Sequence, residues 1–144
     1  LFNQLVPLHR GHLEVLQWAR MQGCPWDDRT TACAAEHGHL AVLTWARAEG
    51  CPCDENLCAL AAANGHLEVL QWARKQDPPC VWDKRACMYA AKYGHLEVLR
   101  WLRMEEQSCP WDGKTFDAAA EGGHLEVIAF VKEHGCPTTS DDEY

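Results

Sequence analysis

Cysteine and histidine are the residues of this chain with the most chemistry to offer, with nine Cys and eight His among 144 residues. Cys51, Cys53 and Cys58 cluster, and His37 and His39 lie one segment upstream. Four nitrogen and sulfur ligands of this kind are what a tetrahedral zinc site requires. Against zinc, the chain has no Cys-x-x-Cys pair, Cys51 holds a position that is Cys in every repeat, Cys53 stands where other linkers have Trp, and Cys58 stands where the preceding unit has Thr31. Five histidines (His12, His39, His66, His95 and His124) each follow a glycine, and the glycines stand 27, 27, 29 and 29 residues apart. Groups spread one per repeat cannot share an ion, so these read as helix-start residues bonding to backbone. A Cys-His nucleophile pair has no supporting signature. Carboxylate pairs Glu105-Glu106 and Asp141-Asp142 fall in a loop and a tail with no base against them. The chain therefore reads as a non-enzyme, with no catalytic residue, no metal set and no cofactor.

The glycine-histidine pairs open a phrase repeated five times: GHLEVLQW at Gly11–Trp18, GHLAVLTW at Gly38–Trp45, GHLEVLQW at Gly65–Trp72, GHLEVLRW at Gly94–Trp101 and GHLEVIAF at Gly123–Phe130. Self-similarity at this period indicates stacked units in a solenoid. It also bears on the thiols. Cys24, Cys51, Cys80, Cys109 and Cys136 share one repeat position. Equivalent positions in packed helix layers are roughly 10 Å apart, whereas a disulfide needs Cα atoms within about 7 Å. Reduced, buried thiols in an intracellular, cytoplasmic setting are expected. The chain starts at Leu1, which leaves organelle targeting open.

Each unit predicts two helices. Asp27, Asp54, Asp83 and Asp112 are N-cap residues for a first helix, which in the unit Trp26 to Cys51 runs from about Asp28 to His37. A small stripe recurs on it (Ala34-Ala35, Ala61-Ala62, Ala90-Ala91, Ala119-Ala120) and permits close approach of a neighbour. Gly38, Gly65, Gly94 and Gly123 end these helices. A second helix, about His39 to Glu49, has Leu40, Val42, Leu43 and Ala46 at helical spacing with Trp45 at the margin. Glu14, Glu68, Glu97 and Glu126 in the first turn and Arg20, Arg47, Arg74 and Arg103 near the end suit the helix dipole. Gly23, Gly50 and Gly135 close second helices; Asp77-Pro78-Pro79 and Glu106-Gln107-Ser108 replace that closure with a segment two residues longer, predicting bulged loops. The linking phrase is Cys-Pro-Trp-Asp at Cys24–Asp27 and Cys109–Asp112, with variants Cys51-Pro52-Cys53-Asp54 and Cys80-Val81-Trp82-Asp83. Its Trp is expected to staple onto the following helix.

A net charge of −8 argues against phosphate-backbone binding. The 47% hydrophobic content marks a folded chain, and the lack of a long apolar run excludes membrane insertion.

The phrase Ala-Ala-x-x-Gly-His-Leu-Glu-Val followed by Gly-Cys resembles the ankyrin repeat, from about Leu5 to Pro137. The resemblance implies an all-α, ankyrin-like α-solenoid of about five helix-turn-helix repeats. Units fall at about 1–24, 25–51, 52–80, 81–109 and 110–137, with 138–144 an acidic tail. Leu1–Arg10 aligns with a first helix as a partial cap, with Pro7 in the alanine slot. The usual ankyrin unit of 33 residues is shortened here between the loop Cys and the next helix, so β-hairpin fingers are expected to be reduced or absent. The resemblance also places a partner-binding surface on the concave face. Positions that differ between units are the candidates: Arg29, Glu36, His37, Asn56, Asn64, Arg85, Met88, Lys92, Tyr93, Lys114, Asp117 and Glu121. The leading expectation is a protein-interaction module or scaffold whose partner is another protein. The alternatives are a structural spacer held in a larger assembly, its Trp edge permanently buried, and a thiol redox or zinc-binding protein.

Overall fold

The computed structural model describes residues 12–23, 28–104 and 107–139. Among the described residues there are helices and no strands: α1 (Leu13–Met21), α2 (Asp28–Glu36), α3 (Leu40–Ala48), α4 (Glu55–Ala63), α5 (Leu67–Arg74), α6 (Lys84–Lys92), α7 (Leu96–Leu102), α8 (Gly113–Gly122) and α9 (Leu125–Glu133). The first helices α2, α4, α6 and α8 pack on one another in order, and each also packs on the second helix that follows it. The readings of Leu1–Arg10, of Cys24–Asp27 and of most of the tail lie outside the described residues.

The predicted local signals are present. The side chains of Asp54, Asp83 and Asp112 accept hydrogen bonds from the backbone N–H of Asn56, Arg85 and Lys114 at 3.0, 2.9 and 3.0 Å, satisfying donors that a helix start leaves open. Gly65 ends α4 at φ +74°, and the next residue, His66, returns its N–H to the Ala61 carbonyl at 2.9 Å. This left-handed closure is the one glycine adopts without steric cost. Register is recovered after the two longer loops, of which residues 105–106 lie outside the described residues. Cys51 N–H bonds the Ala46 carbonyl at 2.8 Å, and across the extra residues Cys80 still reaches Ala73 at 3.0 Å and Cys109 reaches Leu102 at 2.9 Å. Ser108 takes the left-handed conformation there, at φ +48°.

The alanine stripe lets neighbouring first helices meet. Ala34, Ala35, Ala61, Ala62, Ala90, Ala91 and Ala119 are fully buried. Ala120, read as one of that stripe, is exposed, as is Leu125 of α9, because no described unit follows to cover them. The second helices supply the larger core residues, among them Val42, Leu43, Val69, Leu70, Val98 and Leu99.

The units are joined by a histidine seam. The His66 Nε2–H donates to the Glu36 carbonyl at 3.0 Å, and His95 Nε2–H to the Ala63 carbonyl at 2.9 Å. Each ring therefore binds the backbone of the preceding unit rather than capping its own helix. The glycine of the preceding unit makes room for it. A Cβ on Gly38, Gly65 or Gly94 would lie 2.7–2.8 Å from the ring of His66, His95 or His124 respectively, closer than van der Waals contact allows. Gly123, the last of the series, has nothing within 4 Å of that position.

A second set of contacts ties the linkers. At the end of α5 and α7, Arg74 and Arg103 donate from Nη1 to the carbonyls of Cys80 and Cys109. Their guanidinium carbons lie 4.2 and 4.1 Å from the ring centroids of Trp82 and Trp111, a cation–π geometry. Trp82 also meets Trp101 edge-on at 5.9 Å. The two linker tryptophans are half-buried under arginine, not enclosed in the core. Linkers also touch one another: the thiols of Cys109 and Cys136 donate to the carbonyls of Asp83 and Asp112, each at 3.5 Å.

One linker contact overturns the expectation of reduced thiols throughout. Cys53 and Cys80 form a disulfide with Cα atoms 6.1 Å apart. Equivalent positions lie a full repeat apart, whereas this bond joins unequal ones, the Trp slot of one linker and the loop Cys of the next.

Candidate functional site

Five of the twelve positions singled out for varying between units meet in one place. Between α6 and α8 runs a groove of about 230 Å³ lined by Met88, Tyr89, Lys92, Lys114, Asp117, Ala118 and Glu121. Helical spacing explains the set. Lys114, Asp117, Ala118 and Glu121 occupy one face of α8 at i, i+3, i+4 and i+7, and Met88 and Lys92 are an i, i+4 pair on α6. Met88, Tyr89 and Ala118 give an apolar floor. Lys92 Nζ lies 3.4 Å from Glu121 Oε1 and bridges the two helices at one end. Glu121 is exposed and Lys92 partly so, so this pair is worth little in stability and leaves its charges available to a ligand. Lys114, at the opposite end, is exposed. At the same helix starts Lys84 Nζ donates to Asp112 Oδ2 at 2.8 Å, and that hydrogen bond, working against partial burial, holds the Asp112 carboxyl below the usual range.

Five predicted residues thus meet here: Met88, Lys92, Lys114, Asp117 and Glu121. The others do not line this groove. Arg85 Nη1 donates to Asn56 Oδ1 at 3.0 Å, and its Nε to the Asp83 carboxylate, so these two form a lateral polar strap between α4 and α6. Asn64 Nδ2–H bonds the Leu60 carbonyl at 2.9 Å, and His37 Nδ1–H the Cys33 carbonyl at 2.9 Å. Glu36 is half-buried and Arg29 exposed. Tyr93 projects at 52% exposure just beyond Lys92, whose Nζ is 5.9 Å from its ring. Gly122, beside Glu121, serves packing: a Cβ there would run into the Lys92 carbonyl.

Tyr89 and Ala118 are the lining residues that the sequence reading missed. Their column does vary, from Cys33 to Leu60 to Tyr89 to Ala118, so the signal was present. A second depression, of about 620 Å³, lies over Gln71, Arg74, Lys75, Trp101 and Gln107, and its arginine is already engaged with Trp82 and Cys80.

The thiols offer little chemistry. Burial, with a smaller contribution from Glu36, pushes Cys33 up to about 11. Burial pushes Cys58 up to about 12. Cys87, sharing a hydrogen bond with Cys109 and buried, is also raised. Thiols held protonated are poor nucleophiles and poor metal ligands. Among the described residues no three His, Cys, Asp or Glu side chains are grouped to hold a metal; of the cluster considered above, Cys53 is bonded to Cys80. Among the same residues no helix is long and apolar enough to cross a membrane.

A family model of ankyrin repeats, in three copies, matches residues 31–111 and 58–142. No curated protein matches the sequence. With well over half its length covered, and with paired helices stacked unit on unit, the chain belongs to the ankyrin-repeat family, whose members generally bind other proteins and are typically not enzymes.

Proposed function

We propose that this chain is an interaction module that binds a partner protein across the α6–α8 groove and the adjoining face that carries Tyr93. The observation behind this reading is the convergence of unit-to-unit variation on one groove: an apolar floor of Met88, Tyr89 and Ala118 flanked by Lys92, Lys114, Asp117 and Glu121. Apolar floors with charged rims are how protein interfaces combine affinity with orientation. Exposed Tyr93 adds an aromatic of the kind that often dominates interface energy. Of the Trp edge, which a spacer role would bury in an assembly, Trp82 and Trp111 each already lie against an arginine of the chain, Arg74 and Arg103; that favours the groove. An intracellular setting goes with this reading.

The test is affinity capture from the native source with the whole chain as bait, followed by titration of the captured protein. Met88→Ala with Tyr93→Ala should weaken binding by at least tenfold, and Lys92→Glu should weaken it and alter its salt dependence. Unchanged affinity in both variants would assign the interface elsewhere.

A further inference from the structure

We propose that Cys53 and Cys80 are a reversible redox modification site, a staple between consecutive linkers that thiol reductants open and disulfide oxidants close. Three observations carry this. First, the pair is where the repeat departs from itself. Linkers 80–83 and 109–112 carry Trp82 and Trp111 in the slot that Cys53 occupies, and each of those rings lies against an arginine. Arg47 still donates to the Cys51 carbonyl at 3.4 Å, but the slot ahead of it holds a thiol side chain in place of an indole.

Second, the loop Cys has a ready alternative to the bond. Cys109 and Cys136 each donate a thiol hydrogen to the carbonyl of an N-cap Asp one linker back, Asp83 and Asp112. For Cys80 the same position is the carbonyl of Asp54. Reduction therefore moves Cys80 from a covalent rung to the weak hydrogen-bonded rung used elsewhere, and the stack stays intact in both states.

Third, the two sulfurs differ in access. Cys53 is half-buried, whereas Cys80 is 2% exposed. A dithiol reductant attacks Cys53 Sγ through one thiolate. The disulfide breaks, and Cys80 leaves as a thiolate that takes a proton. The second thiolate of the reductant then attacks its own sulfur in the mixed disulfide and releases Cys53. Two electrons pass to the cysteine pair, and the reductant becomes a cyclic disulfide. Closure runs the reverse sequence with a disulfide oxidant of the glutathione class. The remaining described cysteines take no part: Cys33, Cys51, Cys58, Cys87, Cys109 and Cys136 are all buried and outside any disulfide.

The probes are dithiothreitol and glutathione disulfide applied to the full chain. Before reduction, thiol titration in denaturant should find two fewer thiols than after it, and peptide mapping without reductant should recover Cys53 linked to Cys80. Reduction should lower the melting temperature by on the order of 5–10 °C, as expected for a cross-link of this loop length, and glutathione disulfide should restore it. Cys53→Ser should abolish the redox dependence. Cys53→Trp, which reinstates the repeat's own residue, should do so too, and stands in if the serine variant does not fold. Equal thiol counts before and after reduction, or a melting shift on reduction that persists in both variants, would overturn the proposal.

Discussion

The histidine seam and the α6–α8 groove use neighbouring residues of the same helices and follow opposite rules. Lys92 lines the groove, and two residues on Gly94 accepts the His124 ring. Glu121 lines the groove, and two residues on Gly123 is the open end of the seam. In the seam the residue types do not change from unit to unit, the partners are backbone carbonyls, and little room remains for a methyl group. In the groove the types differ between units, the rim residues Lys114, Asp117 and Glu121 are exposed, and charges pair loosely. A repeated structure separates its tasks in this way: what every unit must do for its neighbour is written identically in each copy, and what one surface does for a partner is written where copies may differ.

The sharpest way to break that contrast is to remove a repeated residue. Trp82→Ala deletes a half-buried ring held between Arg74 and Trp101 and should cost about 2–4 kcal/mol in urea unfolding, combining lost packing with a lost cation–π contact. A loss of a few tenths would show that the linker edge does not help hold the units together. The groove should behave otherwise. Met88→Ala and Glu121→Lys should move stability by no more than about 1 kcal/mol, since the first side chain is half-buried and the second exposed, while weakening a captured partner; a large stability loss without loss of binding would make the groove part of the scaffold. The smallest effect is expected at Lys84, which pairs with Asp112 across units. Because this contact lowers the folded carboxyl's pKa, its contribution is present above the ordinary carboxylate range and is lost as pH falls through the folded value. Lys84→Met should therefore cost a few tenths of a kcal/mol near neutral pH, as exposed pairs do, and progressively less as the pH is lowered through the acid range, read from unfolding curves across that range.

Local features were readable from sequence because their causes are local. Asp54, Asp83 and Asp112 cap helices with partners two residues away, and Gly65 closes α4 through bonds within its own turn. Partners one unit away were harder. His66 and His95 were correctly given backbone partners, but the accepting carbonyls belong to Glu36 and Ala63 of the preceding unit, which no pattern of side chains announces. Arg74 and Arg103 looked sufficient as charges at helix ends, so their stacking on Trp82 and Trp111 went unread. The Cys53–Cys80 bond escaped because equivalent positions were compared and unequal ones bonded. The groove was half legible: variation selected Met88, Lys92, Lys114, Asp117 and Glu121, but variation cannot distinguish residues that share a groove from those, such as Asn56 and Arg85, that bind each other.

The central claim is that the repeated Gly-His pair is a joint between units. Gly65 and Gly123 test it together. Both are left-handed, at φ +74° and +70°, but a Cβ on Gly65 would meet the His95 ring at 2.7 Å and one on Gly123 meets nothing within 4 Å. Alanine at either position carries the backbone cost of roughly 1 kcal/mol. At Gly65 it must also displace a ring held by its hydrogen bond to Ala63. Equilibrium unfolding of the two variants should show Gly65→Ala less stable than Gly123→Ala by a further 1 kcal/mol or more, whereas equal losses would contradict the joint.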